Sequence, residues 1–545
     1  MTDIDQEKWD NSNLFTSASE VSNEETIAFS GTIPKWLKGT LYRNGLGAND
    51  INNDPPTSVN HAFDGFAFIQ KYAIDGSSQT VRFRTSFIKS RAYKEAIKRV
   101  HLTTRQFGTD PCKSIFARFQ AIFPGNDIQT LTDDTHVTVQ IVSNELMALT
   151  ETMIGNIFGS DTLETVGPLT ALPYKQLVES EIFTATTIHV MHDDKRSMTV
   201  GCASRITPRN SWLDAIFISD ENTKNVASTE TELDHEKIIS VNDRFLLFTS
   251  EMSERGKNFN RRSTRIQDRF VLPFEKVSYM HSASLTENFL VLTEIPLHFS
   301  RFSVLRTLPS GTAITNMFNW NGDNMSTIFR VINLDTGEQI AQIPGSAFFN
   351  FHHINAFGLK MEDTTTILID ICAYDDHRLI DELYLKNYES TIYHLTNKRI
   401  EPYAGARTGQ GVYPISYANS LVPVQFELPR INPYYIGKSY CCFYAAHSPP
   451  DRFIDALIKV DAESKKECAI WELPFTSPSE PVFVPKPHAN GDHNSIEDDG
   501  VVLSVVLDQK RKQSFLLVLD RSTFTELRRA YVPIHIPLSF HGNFY

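Results

Sequence analysis

The sequence predicts an all-β protein, a β-propeller with helical and loop insertions capping one face. The first observation behind this is a recurring unit: an apolar strand, a polar turn containing Asp, and a second strand. It occurs in FIQKYAIDGSSQTVRFRTSFI around Asp75, STIFRVINLDTGEQIAQI around Asp335, DALIKVDAESKKECAIWEL around Asp461 and SFLLVLDRSTFTELRRAYV around Asp520, with a weaker copy, IGNIFGSDTLETV, around Asp161. Each reads as a β-hairpin, because Asp, Gly and Ser supply turn conformations between runs of Val, Ile, Leu and Phe. The second observation is that the copies span the chain with few long segments of 3.6-residue periodicity between them. That favours radially repeated small sheets over alternating strands and helices.

The individual elements follow from this frame. A chain of 545 residues exceeds the usual domain size unless it closes into one large β architecture. We expect a flexible segment over 1–25 and a single propeller domain over 26–545. The main helical candidates, KSRAYKEAIKRV (89–100) and KSIFARFQAIF (113–123), read as insertions on a propeller face. The Pro-containing and polar stretches 446–452 and 486–499 read as surface loops.

Composition removes several function classes. A formal charge of −13 and the lack of a basic stripe argue against a nucleic-acid partner, which needs a local surplus of Lys and Arg. The first residues, MTDIDQEKWDNSNLF, are acidic and polar and do not read as a signal peptide, and the apolar runs are strand-sized. The expected location is the cytoplasm, with at most peripheral contact with a membrane. Six cysteines without a C-x-x-C pair read as reduced and structural, so a thiolate zinc site is not expected.

The stretch FFNFHHINAFG (348–358) places His352 and His353 side by side among phenylalanines. Neighbours on a strand point to opposite faces, so one of the two rings faces a buried interior and needs a partner. Three further histidines share apolar strand context: His189 in ATTIHVMHDD, with His192 nearby, His281 in VSYMHSASL and His541 in LSFHGNFY. They are too dispersed for a zinc finger or an H-E-x-x-H helix. A propeller removes that objection, since the innermost strand of each blade lines one central axis. Four neutral imidazoles would hold a borderline divalent metal; iron(II), zinc and copper all fit that donor set. Ligating imidazoles normally donate their other N–H to a carboxylate. Glu151 in ALTETMI, Glu427 in VQFELPRIN and Glu480 in SPSEPVFV are candidates, although taken singly each also fits a surface or turn position.

At these residues the chain resembles the carotenoid cleavage oxygenase family, specifically the animal branch of carotene oxygenases and retinoid isomerohydrolase. The resemblance runs from GTIPKWLKGTLYRNG (31–45) and NHAFDGFAF (60–68) through DPCKSIFARF (110–119), YMHSASLTENFLVLTEIP (279–296), FHHINAF (351–357) and EDDGVVLSVVLD (497–508) to SFHGNFY (539–545). It implies a seven-bladed propeller with one iron(II) per subunit, held by His281, His352, His541 and a first ligand at His189, with His192 as the alternative. It also implies that Glu151, Glu427 and Glu480 support the ligands. The chain departs from the family in lacking the proline of an H-P-H motif at His189-Val190-Met191-His192, and in carrying Gly358 where relatives have a glutamate.

The implied activity is a dioxygenase that uses O₂ to cleave a carbon–carbon double bond of a carotenoid or apocarotenoid, giving aldehyde products such as retinal. Two alternatives stand beside it: an isomerohydrolase acting on all-trans retinyl esters, and a non-catalytic lipid-binding propeller. Such substrates reside in membranes. Residues 112–123 place Ile115, Phe116, Phe119 and Phe123 on one helical stripe beside Cys112, an expected membrane-facing patch, with Cys112 open to acylation.

Overall fold

A computed structural model describes residues 11–53, 56–111, 132–142, 145–152, 154–170, 183–206, 211–219, 266–273, 277–300, 302–304, 312–361, 364–387, 395–401, 403–404, 416–420, 424–449, 453–487 and 496–545. Among the described residues, seven antiparallel sheets of four or five strands follow one another along the chain, accompanied by two smaller sheets. They form the blades of a propeller. The hairpins around Asp75, Asp161, Asp335, Asp461 and Asp520 each form the outer pair of strands of one blade, except that in the first blade a further strand, Glu25–Ala28, adds outside the pair. Turn chemistry explains them. The Asp461 carboxylate accepts the N–H groups of Glu463 and Ser464 at 2.9 and 2.7 Å, and Asp520 does the same for Ser522 and Thr523 at 3.0 and 2.9 Å. Around Asp335 the role passes to Asn333, whose side-chain oxygen accepts from the N–H groups of Asp335 and Thr336, while Asp335 pairs with Arg196.

The ring closes because the last strand joins the first blade. Ser539–Phe544 pairs with Lys38–Ala48, so the C-terminus supplies the innermost strand of a blade otherwise built from residues 25–87. The seam is tight: a Cβ on Gly45 would lie 2.6 Å from the Ser539 Cα and 2.7 Å from the Leu538 carbonyl oxygen. Leu41, Phe83, Leu503 and Leu516 belong to one continuous apolar cluster that bridges the first and last blades. Residues 11–25, expected to be flexible, pack onto this seam. Asn11–Phe15 forms a 3-10 helix, Leu14 and Val21 are buried, and the Leu14 carbonyl accepts the Leu538 N–H at 2.8 Å.

The expected helix at 89–100 forms over Arg91–Arg99, inserted between the first two blades. Ser90 caps its start by accepting the Tyr93 N–H at 3.1 Å, and Asp133 accepts those of Arg91 and Ala92, each at 2.8 Å. The second expected helix, with Cys112, Ile115, Phe116, Phe119 and Phe123, lies outside the described residues. Among the described residues no helix is long and apolar enough to cross a membrane.

Ring closure through two strands remote in sequence makes the seam sensitive to volume. Gly45→Ala should cost about 1–3 kcal/mol, as overpacking against backbone does, and lower the thermal midpoint of the protein. An unchanged midpoint would show that the seam opens freely.

Candidate metal centre

Innermost strands and the loops entering them deliver the site. His189 sits in the loop between Phe183–Thr186 and Met191–Asp193, His281 just after Val277–Ser278, His352 within Phe349–Met361 and His541 within Ser539–Phe544. The four belong to four different blades, and one ring nitrogen of each lies within 4.8 Å of those of the others. Their ring centroids stand 4.4 Å apart for His189 and His541, and 5.0 Å for His352 and His541. His192 is not among them: its side chain is half exposed and lies 3.2 Å from Asp194.

Two of these strands bulge at the functional residue. Pairing of Phe349–Met361 with its neighbour slips between Asn350 and His353, which leaves Phe351 and His352 opposite a single residue. The seam pairing slips in the same way beside Phe540 and His541. A bulge re-aims side chains that strict alternation would send elsewhere. His353 faces away from the cluster and its Nδ1 lies 2.6 Å from the Ser284 Oγ.

The three glutamates come from the intervening blades. Glu151 Oε1 lies 2.7 Å from the His281 Nδ1, Glu427 Oε2 2.6 Å from that of His352, and Glu480 Oε1 2.8 Å from that of His541. A carboxylate facing Nδ1 makes that nitrogen the protonated one, so Nε2 presents its lone pair inward. The structure bears this out in what the Nε2 atoms lack. Those of His189 and His281 are buried without a hydrogen-bond partner, and those of His352 and His541 face each other at 3.2 Å. Unclaimed, convergent imidazole nitrogens fit a divalent metal ion, which would satisfy them all.

Burial holds His189, His281 and His541 neutral. The His189 and His541 pKa values fall well below the ordinary histidine range, through desolvation first and the neighbouring rings second, and that of His281 falls for the same first reason against the opposing pull of Glu151. Glu427 is driven up by burial but ends below its ordinary value, because His352 and hydrogen bonds from Tyr374 and the Leu428 N–H stabilise the anion. Glu480 ends above its ordinary value, since its burial outweighs Arg430 and Arg43, whose guanidinium groups stand 3.6 and 3.9 Å away.

Sequence reasoning missed these supporting residues. Tyr279 donates to Glu151, Tyr374 donates to Glu427 at 2.6 Å, and Arg43 also donates to the Glu480 and Phe540 carbonyl oxygens, each at 3.0 Å. Tyr279 had a signal, since it stands two residues before His281; Tyr374 and Arg43 had none, because their partners are remote in sequence.

An apolar cavity opens onto the cluster. Phe63, Phe107, Ile314, Phe351, Phe453 and Phe540 line it together with His281, His352 and His541. Phe63 is the hub, with ring centroids 5.3 to 5.6 Å from those of Phe540, Phe107 and Phe351. His61 fixes it: Nδ1 accepts the Phe63 N–H at 3.0 Å while Nε2 donates to the Ile380 carbonyl at 2.9 Å.

That bonding keeps His61 neutral, and burial lowers its pKa to about 4; burial likewise takes His353 down to about 3. Such rings bind a proton less readily when folded, so the unfolded chain takes up protons first as pH falls. Their contribution to stability is complete above about 6.5, the ordinary histidine value, and is lost as pH drops from there toward the folded values. The thermal midpoint of metal-free protein should fall between pH 7.5 and pH 5. A midpoint that holds or rises over that interval would contradict neutral burial of these rings.

Comparison with known proteins agrees with the geometry. The chain is 29% identical to the mitochondrial carotenoid-cleaving dioxygenase of Macaca fascicularis, over 97% of this chain and 94% of the relative. It is 26% identical to the beta,beta-carotene 15,15'-dioxygenase of Gallus gallus, over 94% of each chain. Cobalt-substituted apocarotenoid oxygenase of Synechocystis superposes with a TM-score of 0.73 at 19% identity, over 98% of each chain, which establishes the shared propeller fold. Matched over residues 14–545, the chain belongs to the carotenoid oxygenase family described as retinal pigment epithelial membrane protein.

Proposed function

We propose that the protein is a non-haem iron(II) dioxygenase that splits one carbon–carbon double bond of a carotenoid or apocarotenoid into two carbonyl products. One observation carries this reading: ring nitrogens of four histidines converge within 4.8 Å of one another, and three of those rings line an aromatic, apolar cavity. His189, His281, His352 and His541 would hold the ion. Bound there, iron(II) supplies an open-sided redox centre for O₂ beside an electron-rich polyene. The reaction balances without a reductant or a proton, since both oxygen atoms end in the two products.

The residues of the chain then have positioning tasks. Phe63, Phe107, Phe351 and Phe540 offer faces and edges against which a polyene packs while water is excluded. Glu151, Glu427 and Glu480 keep the ligand rings oriented and fix the tautomer that turns Nε2 inward. The names of the macaque and chicken relatives support the substrate class. An apolar substrate also supports a peripheral location on a membrane facing the cytoplasm, with the segment around Cys112, Ile115, Phe116, Phe119 and Phe123 as the contact.

Purified protein supplied with iron(II) should convert β-carotene or an apocarotenoid to aldehydes under air and not under argon. Conversion of retinyl palmitate to a cis retinol without O₂ uptake would replace this reading with isomerohydrolysis. His281→Ala, His352→Ala and His541→Ala should each reduce iron per chain at least tenfold, read by elemental analysis. Glu480→Gln should weaken iron binding by about 10–100-fold, as loss of a ligand-orienting partner does. Full iron content in all four variants would overturn the assignment.

A further inference from the structure

The histidine cluster separates two cavities that differ in polarity. The apolar one is described above. On the other side a cavity of about 870 Å³ has a mixed lining, in which Gln140, Thr199, Ser282, Asn355 and Asn543 stand among apolar side chains such as Ile354 and Phe483, and it is the more polar of the two. It reaches the surface, since its lining includes Tyr545, 43% exposed, and the half-exposed His192 beside Asp194. His352 and His541 line both cavities, His281 only the apolar one and His189 only the polar one.

His189 differs from its three companions in ways that fit this placement. It is the least buried of the four, it stands in a loop between strands, and Glu151, Glu427 and Glu480 are each engaged with another ring. Its Nε2, like that of His281, has no hydrogen-bond partner.

We propose that the metal ion enters and leaves through the polar cavity, with His189 as the ligand at its threshold, while the apolar cavity is kept for substrate. This rests on the reading that the four histidines hold a metal. A divalent ion travels with bound water, and the first cavity, whose exposed lining is almost wholly apolar, offers fewer oxygen and nitrogen donors to replace that shell than the second does. Amides and hydroxyls along the polar cavity can replace it stepwise. His192, which does not join the cluster, gains a place at the mouth, where it and Asp194 present a donor pair to an arriving cation.

The experiment follows cobalt(II) uptake by metal-free protein, using the absorption of the bound ion for rate and elemental analysis for final stoichiometry. Gln140→Trp narrows the polar cavity and Phe453→Trp the apolar one; neither residue is among the proposed ligands or their carboxylates. Uptake should slow at least tenfold in Gln140→Trp and stay within twofold of the unchanged chain in Phe453→Trp, with the same final cobalt content in all three. Thr199→Trp replaces Gln140→Trp if that variant fails to fold. Unchanged uptake in the polar-side variant, or slowing in Phe453→Trp alone, overturns the route. An unchanged chain that takes up no cobalt removes the metal centre and the route with it, and the stoichiometry distinguishes that failure from a wrong route.

Discussion

The centre depends on which nitrogen of each imidazole carries the proton. With a carboxylate against the Nδ1 of His281, His352 and His541, that nitrogen is the donor and Nε2 keeps a lone pair. The Nε2 atoms of His352 and His541 then confront each other at 3.2 Å. Two lone pairs at that separation repel, and a hydrogen bond between the rings requires either that one surrender its carboxylate or that the pair take up an extra proton. A cation shared between them resolves the conflict and also satisfies the buried Nε2 atoms of His189 and His281. Remove the carboxylates and the rings are free to turn and bond to each other, so the outer ring of glutamates creates the demand that the inner ring of histidines expresses.

Buried carboxylates need keepers of their own, and the three are kept differently. Glu480, almost wholly enclosed, faces two guanidinium groups and accepts the Gly542 N–H at 3.0 Å. Glu427 relies on the Tyr374 hydroxyl and the Leu428 N–H, at 2.6 and 2.9 Å, and Glu151 on the Tyr279 hydroxyl. Arg43 also grips the carbonyl oxygens of Glu480 and Phe540, so one side chain joins the last blade, the closing strand and the His541 support. Breaking a buried pair of that kind costs about 3–5 kcal/mol by leaving one charge uncompensated. Closure of the propeller and orientation of the ligand are thereby the same interaction.

Much of this was legible in the sequence, for definable reasons. The blade hairpins were, because turn chemistry and strand periodicity are local; all five Asp-centred units form. The number of blades was not a local property and came from the resemblance. Alternation predicted that His352 and His353 part company, and they do, but through a bulge that alternation alone could not foresee. His189 was favoured over His192 by apolar context, and burial places His189 with the other rings while His192 lies toward solvent. Glu151, Glu427 and Glu480 individually fitted surface positions, and their pairing with imidazoles exists only in three dimensions. Arg43 and Tyr374 were silent, because nothing within several residues of either hints at a partner hundreds of positions away for Arg43 or in another blade for Tyr374.

The division between what was legible and what was not has a structural basis. Outer hairpins repeat because each solves the same problem, pairing and covering an edge, and a repeated problem leaves a repeated pattern. Innermost strands repeat nothing. Each contributes one distinct side chain to a common axis, and several break their own pairing to do so: beside His352, beside His541 and again after Glu427, where Leu428 takes a positive φ of 55°. A left-handed leucine is strained relative to a glycine there, yet its N–H is what reaches the Glu427 carboxylate. Slips in pairing are not confined to the axis, since the outer hairpins around Asp161, Asp335, Asp461 and Asp520 carry them too; what distinguishes the axis is that the slips beside His352, His541 and Glu427 fall at a ligand or its carboxylate.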